Sequence, residues 1–198
     1  MVPVGLQHID RESALVLDGD EAGRRLADGD PGVLQALMDS HWMPLLQYAQ
    51  GIVGDRHDGQ DLVQEAFVRL WKTRMNRQAL ASPAAFLYRV VRNLALNQKR
   101  DALSRVRLVL GRFSGQNSPV PATPVEDCVA AELAAAARVA IRRLPDRRRE
   151  IFELARFHGL SYQEIADVMG ISPQTVANQM SRALVELRGS LAPYLANE

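Results

Sequence analysis

The sequence predicts an all-α protein made of two helical domains joined by a linker, and three observations predict it. Apolar residues recur at intervals of three to four almost throughout, the spacing that lines one face of a helix. Strand signals are missing: β-branched residues are few, and no alternating run is bounded by tight-turn dipeptides. Between the periodic halves lies "GRFSGQNSPVPATPVED", Gly111 to Asp127, rich in Gly, Ser and Pro and read as a partly extended linker.

Each element has its own signals. Residues 1–28 are acidic and weakly patterned, either one short helix or a flexible arm. Asp30-Pro31 opens a helix with apolar positions Val33, Leu34, Leu37 and Met38; Pro44 is expected to bend or restart it, and Gly54 to end it. In "DGQDLVQEAFVRLWKT", Leu62, Ala66, Phe67, Leu70 and Trp71 form one apolar stripe, with Asp61, Gln64, Glu65 and Arg69 off it. The loop "RMNRQALA" leads to Ser82-Pro83, an N-cap and first-turn pair. The helix at 83–100 then buries Phe86, Leu87, Val90, Val91 and Leu94 and shows Arg89, Arg92, Asn93, Asn97 and Arg100.

After the linker, an alanine-rich helix is expected over 128–143. A second follows Leu144-Pro145, and Gly159 is expected to close it. "SYQEIADVMG" begins with a capping box, Ser161 to Glu164, and stops at Gly170. "SPQTVANQMSRALVELR" starts again with Ser172 as N-cap and Pro173 in the first turn. Helix, glycine-centred turn, helix is the pattern of a helix-turn-helix.

Composition removes several classes of function. No apolar run approaches the roughly 18–20 residues of a membrane span, and the N-terminus lacks the basic-then-apolar pattern of a secretory signal. Cys128 is the only cysteine, which excludes disulfide frameworks and cysteine-based zinc sites and points to a reducing cytoplasm. The histidines, at 8, 41, 57 and 158, have no metal-ligand spacing, and His158 beside Gly159 reads as a helix C-terminal residue. No catalytic Ser/His/Asp set, paired carboxylates or glycine-rich phosphate loop is present, so neither an enzyme nor a cofactor carrier is expected.

Charge is divided unevenly along the chain. Residues 1–68 carry 4 Lys/Arg against 12 Asp/Glu; residues 69–107 carry 10 against the single acid Asp101; the remainder balances at 10 against 10. A basic block of this kind suits a polyanion, though a solvated helix face carries the same letters. In 83–100 the cations sit beside Tyr88, Asn93 and Asn97. That mixture suits a single nucleic-acid strand, with cations on the backbone and amides or rings on unstacked bases. Trp71 and Phe86, at helical spacing, read as core residues. In the C-terminal pair, Ile165, Ala166, Met169, Ile171, Val176 and Met180 can form a small core. Gln174, Thr175, Ala177, Asn178, Ser181 and Arg182 then face outward, with no acid between Ile171 and Leu184. Such a surface suits base edges and phosphates in a major groove, where a carboxylate would be repelled.

"DLVQEAFVRLW", "FLYRVVRNLALNQKR", "LPDRRREIFELARFHGLSYQEIADVMGIS" and "TVANQMSRALVELR" together resemble an extracytoplasmic-function (ECF) sigma factor, the small two-domain kind within the sigma-70 family of bacterial transcription initiation factors. The resemblance covers residues 31–190, with four motifs in the family's order and spacing. It implies sigma domain 2 over 30–104, a linker over 105–126, sigma domain 4 over 127–198 and an acidic extension over 1–29. It implies that Asp61, Gln64 and Glu65 contact the β′ clamp helices of core RNA polymerase, with the β flap a further contact of the factor. By the same match Arg89, Arg92, Asn93, Asn97 and Arg100 face the −10 promoter element, and the loop Asn76–Ser82 cradles a flipped base. Asn178, Ser181 and Arg182 would read the −35 element as duplex, with Thr175 near its backbone. An anti-sigma factor is a further candidate partner. The family often carries Arg or Lys where Ala177 and Gln179 stand, and Asp where Asn97 stands, so the promoter read here is expected to differ from the commonest ones. A conventional helix-turn-helix regulator acting without polymerase is the competing reading. The acidic N-terminal residues could also fold over the basic block of the isolated protein.

Overall fold

Eight α-helices and no strand form the secondary structure of the described residues, 19–73, 80–110 and 128–195 of a computed structural model. They are α1 (Gly19–Ala27), α2 (Pro31–Val53), α3 (Arg56–Thr73), α4 (Pro83–Leu110), α5 (Cys128–Arg143), α6 (Asp146–Arg156), α7 (Tyr162–Met169) and α8 (Pro173–Leu195). Backbone contacts divide the chain into two units, 1–118 and 119–198. The arm at 1–18, most of the loop expected at 76–82 and the linker from 111 lie outside the described residues.

In the first unit α2, α3 and α4 pack on one another. Leu45, Leu46, Ala49, Val63, Ala66, Leu70, Leu87, Val91 and Ala95 are shut away from solvent, each larger side chain contributing roughly 1.5–3 kcal/mol by leaving water. Tyr48 meets Tyr88 edge to face, with ring centroids 5.4 Å apart. Tyr88 is therefore core, and its burial pushes the phenol well above its ordinary range. Pro44 does not interrupt α2. The ring removes one backbone donor, but buried Leu45, Leu46, Tyr48 and Ala49 follow it directly, and their packing holds the helix through the gap.

Part of the acidic N-terminal stretch is structured. Helix α1 packs on α2 and α4, burying Ala22, Gly23 and Leu26. Arg25 bonds the Asp30 carboxylate at 2.8 and 3.1 Å, while the other oxygen of Asp30 accepts from the Gly32 N–H at 2.8 Å and caps α2. Arg25 first, then Gly32, holds the Asp30 carboxyl below its ordinary range. Residues 19–27 are thus part of the first unit rather than an arm available to cover the basic block. Helix α4 also runs ten residues beyond position 100, to Leu110, so the linker expected from 105 begins inside a helix.

In the second unit α5, α6 and α7 each pack against α8. One cluster joins Ala140, Leu144, Phe152, Met180, Ala183 and Leu187. Helix α6 ends at Arg156, earlier than Gly159. The carbonyl of Glu153 accepts from the Phe157 N–H at 2.8 Å and that of Leu154 from the Leu160 N–H at 3.1 Å, and Gly159, in the left-handed region at φ 69°, completes the turn as expected. Half-buried His158 lies in this turn, and burial brings its imidazole down to about 4.

Candidate nucleic-acid and polymerase interfaces

The C-terminal pair of helices is positioned by short-range chemistry. Ser161 accepts the Glu164 N–H at 3.3 Å, and Glu164 accepts the Ser161 N–H at 2.8 Å, closing the capping box of α7. Gly170 ends α7 in the left-handed region, φ 64° and ψ 44°, where an L side chain is strained. Ser172 then accepts the Thr175 N–H at 3.1 Å and opens α8. Ile165, Ala166, Val168 and Met169 of α7 and Val176 and Met180 of α8 are buried. Ile171 is only half-buried because it lies in the turn itself.

This leaves Gln174, Asn178, Ser181 and Arg182 exposed on α8. Gln174 donates to the Asn178 carbonyl oxygen at 3.2 Å along the helix. Thr175 is half-buried, its hydroxyl 2.8 Å from that of Ser172. Its oxygen serves the helix start, while Asn178, Ser181 and Arg182 remain turned to solvent. Ala177 and Gln179 are half-buried rather than outward. Gln179 accepts from Arg148 Nε of α6 at 3.2 Å, and Arg148 Nη1 reaches Glu186 at 2.6 Å. The run Arg147–Arg149 was the one sequence signal for this contact. Arg149 instead bonds Asp146 at 2.6 Å and the Arg142 carbonyl at 3.0 Å.

In the first unit, Ser82 accepts the Ala85 N–H at 3.1 Å and starts α4. Arg89, Asn93, Asn97 and Arg100 are all exposed, and their three- to four-residue spacing sets them along one side of the helix. Arg92 is half-buried beside that row. Leu96 interrupts it with an apolar group 40% exposed. The guanidinium of Arg89 stands 5.7 Å from the centroid of the Phe86 ring. Phe86, Val90 and Leu94, expected in the core, are half-buried, whereas Tyr88 and Ala95 are buried. The inward face is thus rotated slightly, because α2 supplies Tyr48 on the Tyr88 side. Trp71 is half-buried too, and Trp42 stacks on Phe67 with ring centroids 6.0 Å apart.

On α3, Asp61 and Gln64 are exposed and Glu65 is half-buried. Glu65 accepts from Arg69 Nε at 2.7 Å, and Val68 adds an apolar group 44% exposed. A face of carboxylate, amide and valine can dock a helical partner by charge and contact together. Among the described residues no helix is long and apolar enough to cross a membrane, and no cluster of three or more His, Cys, Asp or Glu is gathered as a metal would need.

Known proteins carry the same arrangement. Residues 37–105 match the Sigma-70 region 2 family and residues 134–187 the Sigma-70 region 4 family. The ECF RNA polymerase sigma factor SigL of Mycobacterium tuberculosis is 31% identical over 83% of this chain and 92% of its own. The ECF RNA polymerase sigma factor SigE of Mycolicibacterium smegmatis is 29% identical over 97% of this chain and 77% of its own. Two solved structures share the fold. CnrH in complex with the cytosolic domain of CnrY is similar at TM-score 0.55 and 21% identity, covering 92% of this chain and all of that one. The sigma factor RpoE in complex with the anti-sigma factor NepR from Bartonella quintana is similar at TM-score 0.56 and 23% identity, covering 80% and 95%. A sigma-70 region 2 helical unit followed by a region 4 helix-turn-helix, with 31% identity to SigL over 83% of the chain, makes this protein a member of the ECF family of RNA polymerase sigma factors.

Proposed function

We propose that this sigma factor divides promoter recognition between the exposed rows of α8 and α4 while α3 holds core RNA polymerase. One observation carries the reading. The same chain presents an acid-free row of amide, hydroxyl and guanidinium on a capped helix-turn-helix and a cation-and-amide row on a second helical unit. Asn178, Ser181 and Arg182 enter the major groove of the −35 duplex, and Thr175 supports the backbone approach through the start of α8. Arg89, Arg92, Asn93, Asn97 and Arg100 hold the −10 region, cations on phosphates and amides on unstacked bases. Melting is driven by exchanging base stacking for that capture, without nucleotide hydrolysis by this chain. Asp61, Gln64 and Glu65 dock on the β′ clamp helices, and the second unit adds the β flap. Residues 30–104 and 127–198 are the two working domains, and the protein acts in the cytoplasm. An anti-sigma factor is a candidate regulator, as RpoE and NepR form such a pair.

The test is transcription in vitro. Core polymerase with the full chain should initiate specifically on a promoter selected by that holoenzyme from a randomised duplex pool, and should engage its fork-junction form. Absence of initiation, together with tight binding of duplex by the protein alone, would sink the proposal.

A further inference from the structure

The second unit contains an ion pair that the sigma reading does not use, and it lies beside the row that reading assigns to duplex DNA. Arg148 leaves α6 and is largely covered, its side chain 17% exposed against 51% for Glu186. Its guanidinium takes Gln179 at 3.2 Å and Glu186 at 2.6 Å, two residues seven positions apart on α8. A planar fork with several fixed donors can hold two such acceptors at once, which a lysine ammonium does with less geometric control. Arg148, Glu186, Ser181, Arg182 and Val185 line one hollow of about 350 Å³. Glu186 is the one carboxylate among the residues that line it. Within a Debye length of about 8 Å at physiological salt, an unpaired carboxylate there would repel a phosphate backbone.

We infer that Arg148 is a positioning residue of the duplex-reading helix: it neutralises Glu186 and ties two turns of α8 to α6, so that Ser181 and Arg182 meet DNA with no net negative charge beside them. This rests on the assignment of α8 to the −35 duplex. It also gives Gln179 a role. Its oxygen serves the clamp rather than a base edge, so the residue that departs from the family's usual cation is matched by a cation entering from α6.

Promoter affinity of the full holoenzyme, measured on a duplex promoter selected with the wild-type holoenzyme, tests the assignment. Arg148→Met should weaken binding on the order of tenfold at low salt, with binding of the factor to core polymerase unchanged. Adding Glu186→Gln to that variant should restore affinity to within about threefold of wild type, since the unmasked carboxylate is then gone. A double variant as weak as the single one overturns the inference, because Arg148 would then act directly on phosphate or only on folding. If Arg148→Met does not fold, Arg148→Lys decides: the lysine holds the two acceptors less well, so affinity should fall severalfold and adding Glu186→Gln should recover it, and a loss that Glu186→Gln does not recover overturns the inference. Indifference of the selected promoter to Arg182→Ala would overturn the reading of α8 itself, and this assignment with it.

Discussion

Helices α4 and α8 both turn a polar row to solvent, but what holds each row in place differs in range. Helix α8 is set by neighbours in sequence: the Ser161 capping box, the left-handed Gly170 and the Ser172 cap all lie within a dozen residues. Helix α4 is set by residues far away. Tyr48 of α2 packs on Tyr88, and α1 lies so tightly on the segment before α4 that a β-carbon at Gly23 would overlap the Leu80 carbonyl oxygen. A reader built from local caps can tolerate the loss of one cap. A reader braced by backbone on backbone cannot tolerate one added methyl group.

Two glycines make that contrast measurable. Gly170 has a positive φ and nothing within 4 Å of its missing β-carbon, so Gly170→Ala meets only conformational strain and should cost roughly 1–2 kcal/mol. Gly23 meets the Leu80 backbone, and Gly19 lies 2.9 Å from the Ala81 carbonyl oxygen by the same construction. Gly23→Ala must therefore push α1 off residues 80–82 and should cost about 3 kcal/mol or more, the range of severe overpacking. Chemical denaturation of the full chain checks both, with the fluorescence of Trp42 and Trp71 following the first unit and far-UV circular dichroism following the loss of helix in the second, which holds no tryptophan. If Gly23→Ala proves milder than Gly170→Ala, the bracing of α4 by α1 is wrong.

The next contrast separates DNA contact from polymerase contact. Arg182→Ala removes an exposed guanidinium with no partner among the described residues, so stability should hold. Promoter affinity of the holoenzyme should fall on the order of 10- to 100-fold, the loss expected for a base-reading arginine. Asp61→Ala with Glu65→Ala should do the opposite: weaken core binding severalfold, the size expected of exposed charges, and leave duplex affinity alone. Competition binding to core polymerase and promoter shift assays on the same samples check both. A variant that loses the two activities together contradicts the division of labour.

The same difference in range explains what could be read from sequence. The outward row of α8 was legible because every signal for it is local: Ser161 with Glu164, Gly170, Ser172-Pro173 and the acid-free run after them. The clamp at Arg148 was not, because its acceptors lie 31 and 38 residues away. Three consecutive arginines look alike until the packing of α6 on α8 turns one of them inward. The buried side of α4 was legible only to within part of a turn, since Tyr88 is drawn inward by a ring on α2. The continuation of α4 to Leu110 agrees with composition, since residues 101–110 hold no helix breaker and the texture changes only at Gly111; the earlier boundary at 105 came from the resemblance. The match of Gly23 to the Leu80 backbone has no sequence signature at all.

The smallest effect tests whether local caps are as interchangeable as this comparison requires. Ser161→Ala deletes the acceptor for the Glu164 N–H and the hydroxyl donor to Glu164 Oε2, a 2.8 Å contact. The loss should be about 1 kcal/mol, ordinary for an N-cap. The backbone half of the box survives, because the N–H of residue 161 still reaches the Glu164 carboxylate. Helix α8 keeps its own cap at Ser172 and its contacts with α5 and α6. Thermal unfolding of the second unit should therefore shift by a few degrees, while promoter affinity at a temperature well below the transition changes less than about twofold, under the 1.4 kcal/mol that makes a factor of ten. A larger loss of affinity without further unfolding would mean that α7 transmits its cap directly to the reading row. The local frame of α8 would then be as unforgiving as the braced frame of α4.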